Sequence, residues 1–202
     1  YRMAKFVLSH PDSSYLTTPT DLAVQQDHPA VRQVMSRSHP DFMALHRTLS
    51  DDGKTAATQI RVEQVRKLLA FFGSTAGSGG WRIAVVDTAD DLNASSANAL
   101  LKLIEEPPPR ALIFLISHHP GRLLPTLRSR CRKLMLAPLT PESCLLAARK
   151  SRPDIDKDVL ADAVSLSGGS VRRAIMLASG DGLIVHRSLS SILSHLPLVE
   201  PG

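Results

Sequence analysis

The chain has 202 residues, 43% of them hydrophobic, with a formal net charge of +5, 4% aromatic residues and two cysteines. This composition supplies a conventional core for one domain or one and a half, and no run of about 18 apolar residues offers a membrane span. Cys131 and Cys144 make neither a disulfide framework nor a CxxC pair, so no metal site is expected, and the cations are spread along the chain without interleaved aromatics, which marks no base-stacking platform.

Residues 1 to 8 are amphipathic and lack both an initiator Met and a preceding cap, so the chain is expected to begin inside a helix. They also lack the basic start, apolar centre and cleavage site of a signal peptide, which makes a cytoplasmic location the default expectation. Residues 9 to 58 are polar and proline-punctuated. Within them, residues 29 to 37 and 44 to 49 have the pattern of a short helix or strand, and Asp51-Asp52-Gly53-Lys54 is a turn signal. From Ile60 an amphipathic helix is predicted through Phe71 or Phe72, with Val62, Val65, Leu68 and Leu69 on one face. Small residues from Gly73 to Gly80 then break it.

Ile83-Ala84-Val85-Val86 reads as a buried strand ending at Asp87, and Ala111-Leu112-Ile113-Phe114-Leu115-Ile116 as a second, apolar on every residue as for a strand covered on both faces of a parallel sheet. Between them, residues 92 to 106 have helical spacing, with Asp90, Asp91 or Asn93 available as N-cap and Pro107-Pro108-Pro109 forbidding continuation. Strand, helix and strand within about 35 residues form a βαβ crossover. The segment Leu127-Arg128-Ser129-Arg130-Cys131 follows a Pro-initiated turn and places its arginines where no partner is obvious. Residues 133 to 136 read as another short buried strand. Beyond them, Thr140-Pro141-Glu142 starts a helix, residues 159 to 165 form a second, and Ser170-Val171-Arg172-Arg173 opens a third after Gly168-Gly169. Gly180-Asp181-Gly182 reads as a linker, followed by a helical pattern over residues 184 to 196.

Two long stretches, Asn93-Ala94-Ser95-Ser96-Ala97-Asn98-Ala99-Leu100-Leu101-Lys102-Leu103-Ile104-Glu105-Glu106-Pro107 and Arg122-Leu123-Leu124-Pro125-Thr126-Leu127-Arg128-Ser129-Arg130-Cys131, closely resemble the AAA+ subunits of bacterial clamp loaders. The resemblance is strong from residue 61 to 139, moderate over 1 to 8 and 138 to 179, and weak elsewhere. It implies an α/β fold: a P-loop NTPase-like parallel sheet domain over residues 1–137 that lacks its N-terminal strand and P-loop, and a three-helix lid over 138–180. Residues 181–202 would be a linker and the start of a truncated collar domain. In the family, the helix matching residues 1 to 8 directly follows the phosphate-binding loop, and no G-x-x-x-x-G-K-[ST] occurs in this sequence. Many relatives also carry a four-cysteine zinc module before the position of His39-Pro40-Asp41, where this chain has no cysteine.

The same resemblance assigns candidate sites. Asp87 matches the Walker B carboxylate that approaches magnesium through water, its alternative being a strand-end Asp capping the next turn. An active ATPase of this type has Glu next, to polarise the attacking water. Thr88, which stands there, cannot act as that base. Ser117 matches the sensor 1 position that reaches a γ-phosphate, or else forms a turn. Asp90 and Asp91 are better read as helix caps, and His118 and His119 show no metal-ligand spacing. Arg130 matches an arginine finger that acts in trans on a neighbour's ATP, with Ser129 shaping its turn, Cys131 packing as a small apolar residue and Arg128 meeting phosphate or a carboxylate. The alternative for Arg130 is a helix-end cation paired with a local acid. Arg172 matches the sensor 2 arginine, with Arg173 an ambiguity of one residue, and the plain alternative is a solvated basic helix start that the helix dipole disfavours.

The function so implied is that of a clamp-loader subunit in a DNA-directed DNA polymerase (nucleotidyltransferase) holoenzyme. It would present Arg130 to a neighbouring ATPase without hydrolysing ATP itself, and no cofactor is certain: ATP and magnesium are expected only if a P-loop precedes Tyr1. The implied partners are gamma/tau and delta clamp-loader subunits, with the sliding clamp and primer-template DNA reached through the assembly, and no membrane. Two alternatives stand beside it: an ATP-hydrolysing gamma/tau-type or other AAA+ ATPase, and a basic DNA-binding module whose affinity falls with salt.

Overall fold

The computed structural model describes residues 1–10, 19–48, 57–73 and 80–195. The turn signal at residues 51 to 54, most of the small-residue break after Gly73 and the end of the last helical pattern lie outside the described residues. The chain divides into two compact units, Tyr1–Arg132 and Lys133–Gly202.

In the first unit, helices α1 (Arg2–Ser9) and α2 (Pro29–Met35) precede strand β1 (Phe42–Leu45). Helix α3 (Val62–Gly73), strand β2 (Arg82–Asp87), helix α4 (Ala94–Glu105), strand β3 (Ala111–Ile116) and the short helix α5 (Pro125–Arg130) follow. The three strands form one parallel sheet in the order β1-β2-β3, with Ile83 opposite both Phe42 and Leu112.

Alternation along β2 explains its continuous apolar run. Ala84 and Val86 pack with Leu45 against Val65, Leu68 and Phe72 of α3 and Leu100 and Leu103 of α4. Ile83 and Val85 point to the other face, where Phe42, Ala4 and Leu8 of α1, and Ala30 and Val34 of α2 enclose them. Each large apolar side chain so buried contributes about 1.5–3 kcal/mol. The sheet is thus covered on both faces at its centre, and its strand ends are held in register.

Four expectations need correction. Ile60 does not start a helix: it forms a lone parallel bridge with Leu92, and the helix begins at Val62. Every residue of β3 is only partly buried, because this strand has β2 on one side and no described strand on the other. The short element before the sheet's centre is Phe42–Leu45 rather than 44 to 49. Residues 133 to 136 form no strand, and Leu134, Met135 and Leu136 are 66%, 79% and 81% exposed. A short apolar run becomes a strand only where another strand accepts its ladder, and no described strand lies beside this one.

In the second unit, α6 (Pro141–Ser151), α7 (Lys157–Leu166) and α8 (Val171–Ser179) pack around Cys144, Val164 and Ala174, followed by α9 (Gly182–Ser194). Each of the first three has a side-chain N-cap: Thr140, Asp156 and Ser170 accept from backbone N–H groups of the first turn. Gly169 has φ of +78°, and a Cβ there would lie 2.5 Å from the Leu139 carbonyl oxygen. Glycine is therefore required where Leu139 and Gly169 hydrogen-bond through their backbones.

Candidate functional site

In an open parallel sheet, ligands gather outside the carboxyl ends of the strands, and here that edge carries Asp87, Thr88 and Ser117. Asp87 is half-buried at the end of β2. Its carboxylate makes no hydrogen bond or ion pair with a described residue and does not cap the turn that follows. That turn is a single 3₁₀ turn, Ala89–Asp91, with Thr88 at its N-cap making no side-chain cap bond.

Asp90 is not a helix cap. Its carboxylate crosses to the end of β3, where it accepts the Ser117 hydroxyl at 2.7 Å, the His118 backbone N–H at 2.7 Å and that of His119 at 3.4 Å. Burial raises its proton affinity, but the Ser117 and backbone hydrogen bonds outweigh this and hold the carboxyl below its ordinary range. Asp91 pairs with Arg47 at 3.2 Å, while its carbonyl accepts the Ile60 N–H. Capping of α4 falls to Asn93, whose side chain accepts the Ser96 N–H at 2.8 Å. Ser117 thus reaches the strand end expected of a phosphate sensor with its hydroxyl proton already given to Asp90.

The arginine segment forms α5. Leu127 is 1% exposed and fixes the helix, while Arg128, Ser129 and Arg130 remain on the surface. The Arg130 Nε lies 2.6 Å from a Glu105 carboxylate oxygen at the end of α4, and its Nη1 donates to the Thr126 carbonyl at 3.1 Å. Ser129 donates its hydroxyl to the same carbonyl at 3.1 Å. Both Arg130 and Glu105 are more than 40% exposed, so this pair orients the guanidinium at little net energy. The local-acid partner is real, and it leaves the cation accessible. Cys131 is half-buried, and burial pushes its thiol up.

In the second unit Arg172 and Arg173 stand exposed in the first turn of α8, where the Arg173 backbone N–H is capped by Ser170 at 3.3 Å. Among the described residues no group of three or more His, Cys, Asp or Glu is placed to hold a metal. No described helix is long and apolar enough to cross a membrane.

Sequence reasoning missed Asp90, because a contact spanning 27 residues leaves no local pattern. It also missed the opposite edge of the sheet. There the fully buried Asp41 lies 3.7 Å from Arg82, whose guanidinium sits 4.3 Å above the Phe71 ring. His39 accepts the Asp41 N–H at 3.1 Å through Nδ1, and burial lowers its proton affinity against the pull of Asp41.

A family model described as DNA polymerase III, delta subunit, matches residues 13–140. The DNA polymerase III subunit delta' of Pseudomonas aeruginosa is 37% identical over 142 residues, which is 70% of this chain and 41% of that protein. That of Escherichia coli is 35% identical over 158 residues, 78% and 45% of the two chains. Replication factor C subunit 5 of Homo sapiens is 32% identical over 102 residues, 48% and 29% of the two chains. The chain spans less than half the length of these curated relatives. Among solved structures, a DNA polymerase III gamma subunit-related protein of Thermotoga maritima matches with a TM-score of 0.50 at 18% identity, over 82% of this chain and 52% of that one. That likeness concerns the fold, the α/β parallel-sheet arrangement that the AAA+ resemblance implies.

Proposed function

This chain belongs to the DNA polymerase III delta-subunit family, and from that premise we propose that it is a clamp-loader subunit that does not hydrolyse ATP itself. In this reading it works in the cytoplasm beside gamma/tau and delta subunits. Through that assembly it meets the sliding clamp and primer-template DNA, and it offers Arg130 in trans to the ATP of a neighbour. The 138–180 helices act as a lid, with Arg172 as its phosphate-facing arginine.

The observation that carries the reading is the contrast between the chain's own crevice and its exposed arginine. Hydrolysis needs a base beside Asp87 and a free sensor at the end of β3. The crevice has Thr88 instead of the base, and Ser117 is bound to Asp90. Asp87 alone fits a magnesium-nucleotide site, since its carboxylate is uncommitted. Arg130, by contrast, is anchored through Leu127, aligned by Glu105 and accessible, which is what a group donated to another subunit requires.

The test is reconstitution of the clamp loader with and without the full-length protein, read as primed-circle DNA synthesis that depends on a loaded clamp. The protein should co-purify with the other subunits, and its omission should abolish loading. Loading that proceeds unchanged without it would refute the proposal.

A further inference from the structure

The second unit carries a groove of about 580 Å³ lined by Leu146, Arg149, Lys150, Pro153, Ile155 and Lys157. Leu146, Pro153 and Ile155 supply its apolar lining, and Leu146 is 74% exposed. The rim of the groove is cationic. Arg149 and Lys150 occupy the last turn of α6, where the helix dipole favours them. Lys157 is the first residue of α7, where the dipole disfavours a cation. None of the three side chains makes a hydrogen bond or ion pair with a described residue.

The nearby acids are largely engaged elsewhere. Asp154 is paired with Arg152 at 2.6 Å, which pulls its carboxyl down to about 2. Asp156 accepts the N–H groups of Asp158 and Val159 as the cap of α7. Asp158 lies in the first turn of α7 and its side chain makes no hydrogen bond or ion pair with a described residue.

We infer that this groove docks an acidic peptide segment that inserts an apolar side chain beside Leu146. Carboxylates would meet the three rim cations, and the inserted side chain would cover the apolar lining. Nucleic acid fits the site less well: a phosphate backbone would leave the apolar lining uncovered, and residues 133–202 contain no Phe, Tyr or Trp for bases to stack on. The inference is independent of the role assigned to Arg130.

The experiment is fluorescence anisotropy on the full-length protein with a fluorescein-labelled peptide, Asp-Glu-Asp-Leu-Asp-Leu. The same peptide with both leucines replaced by serine and an oligothymidylate of equal charge are the comparison probes. The double variant Lys150→Glu, Lys157→Glu should weaken peptide binding about tenfold or more. Lys67→Glu, an exposed charge reversal on α3 in the other unit, should change it less than about twofold. The serine peptide should also bind about tenfold more weakly. The inference is overturned if the leucine peptide does not bind, if the groove variant behaves like Lys67→Glu, or if the oligothymidylate binds as tightly as the leucine peptide.

Discussion

The Ser117 hydroxyl donates to the Asp90 carboxylate at 2.7 Å and so ties the end of β3 to the turn that follows β2. The same carboxylate holds the His118 N–H, and removing it strands two donors at once. Asp90→Ala should therefore destabilise the first unit by about 1–3 kcal/mol, read as a shift in urea midpoint with unchanged slope. An unchanged midpoint would show that solvent replaces these bonds at no cost.

Burial opposes the shift, but the hydrogen bonds from Ser117 and from the His118 and His119 N–H groups hold the Asp90 carboxyl below its ordinary range. A depressed carboxyl contributes stability that is full above the unfolded pKa and is lost as pH falls through the folded one. The stability gap between the wild type and Asp90→Asn should accordingly be widest above about pH 5 and should narrow on acidification. Chemical denaturation across that range measures it, and a constant gap would contradict the assigned hydrogen bonds.

Asp41 is fully buried beside Arg82. Asp41→Ala leaves a buried cation with less compensation and should cost about 3–5 kcal/mol, whereas Asp41→Ala combined with Arg82→Met should recover part of that loss. A double-mutant cycle on thermal or urea unfolding gives the coupling. Additive losses would mean that the two side chains do not act as a pair.

Gly169→Ala places a Cβ against the Leu139 backbone at a φ of +78°. It should destabilise the second unit by about 1–3 kcal/mol. Hydrogen exchange of α6 to α8 amides should rise while that of the β2 amides stays unchanged.

Much of the first unit was legible because its signals are local. The apolar run of β2 and the proline stop after Glu106 each act within a few residues, whereas the choice of Asn93 over Asp90 and Asp91 as the cap of α4 was left open by the sequence. The Leu127-to-Cys131 segment was legible through its length and specificity, though neither its ion pair with Glu105 nor its shared Thr126 carbonyl could be read from it. The contact between Asp90 and Ser117 was illegible for a different reason. Each has a plausible local role as cap or turn former, and only the parallel pairing of β2 with β3 brings them together. Residues 133 to 136 misled because an apolar run secures neither burial nor a strand without a neighbouring strand to accept its ladder.

In the proposed role, Arg130 acts on a neighbour's ATP. ATP turnover by the reconstituted clamp loader, with clamp and primed DNA, tests it most directly when wild type is compared with Arg130→Ala and both are first shown to assemble. A loss of about tenfold or more, roughly 1.4 kcal/mol of transition-state stabilisation, is the predicted result. Unchanged turnover by a fully assembled complex would contradict it and leave Arg130 as the helix-end partner of Glu105.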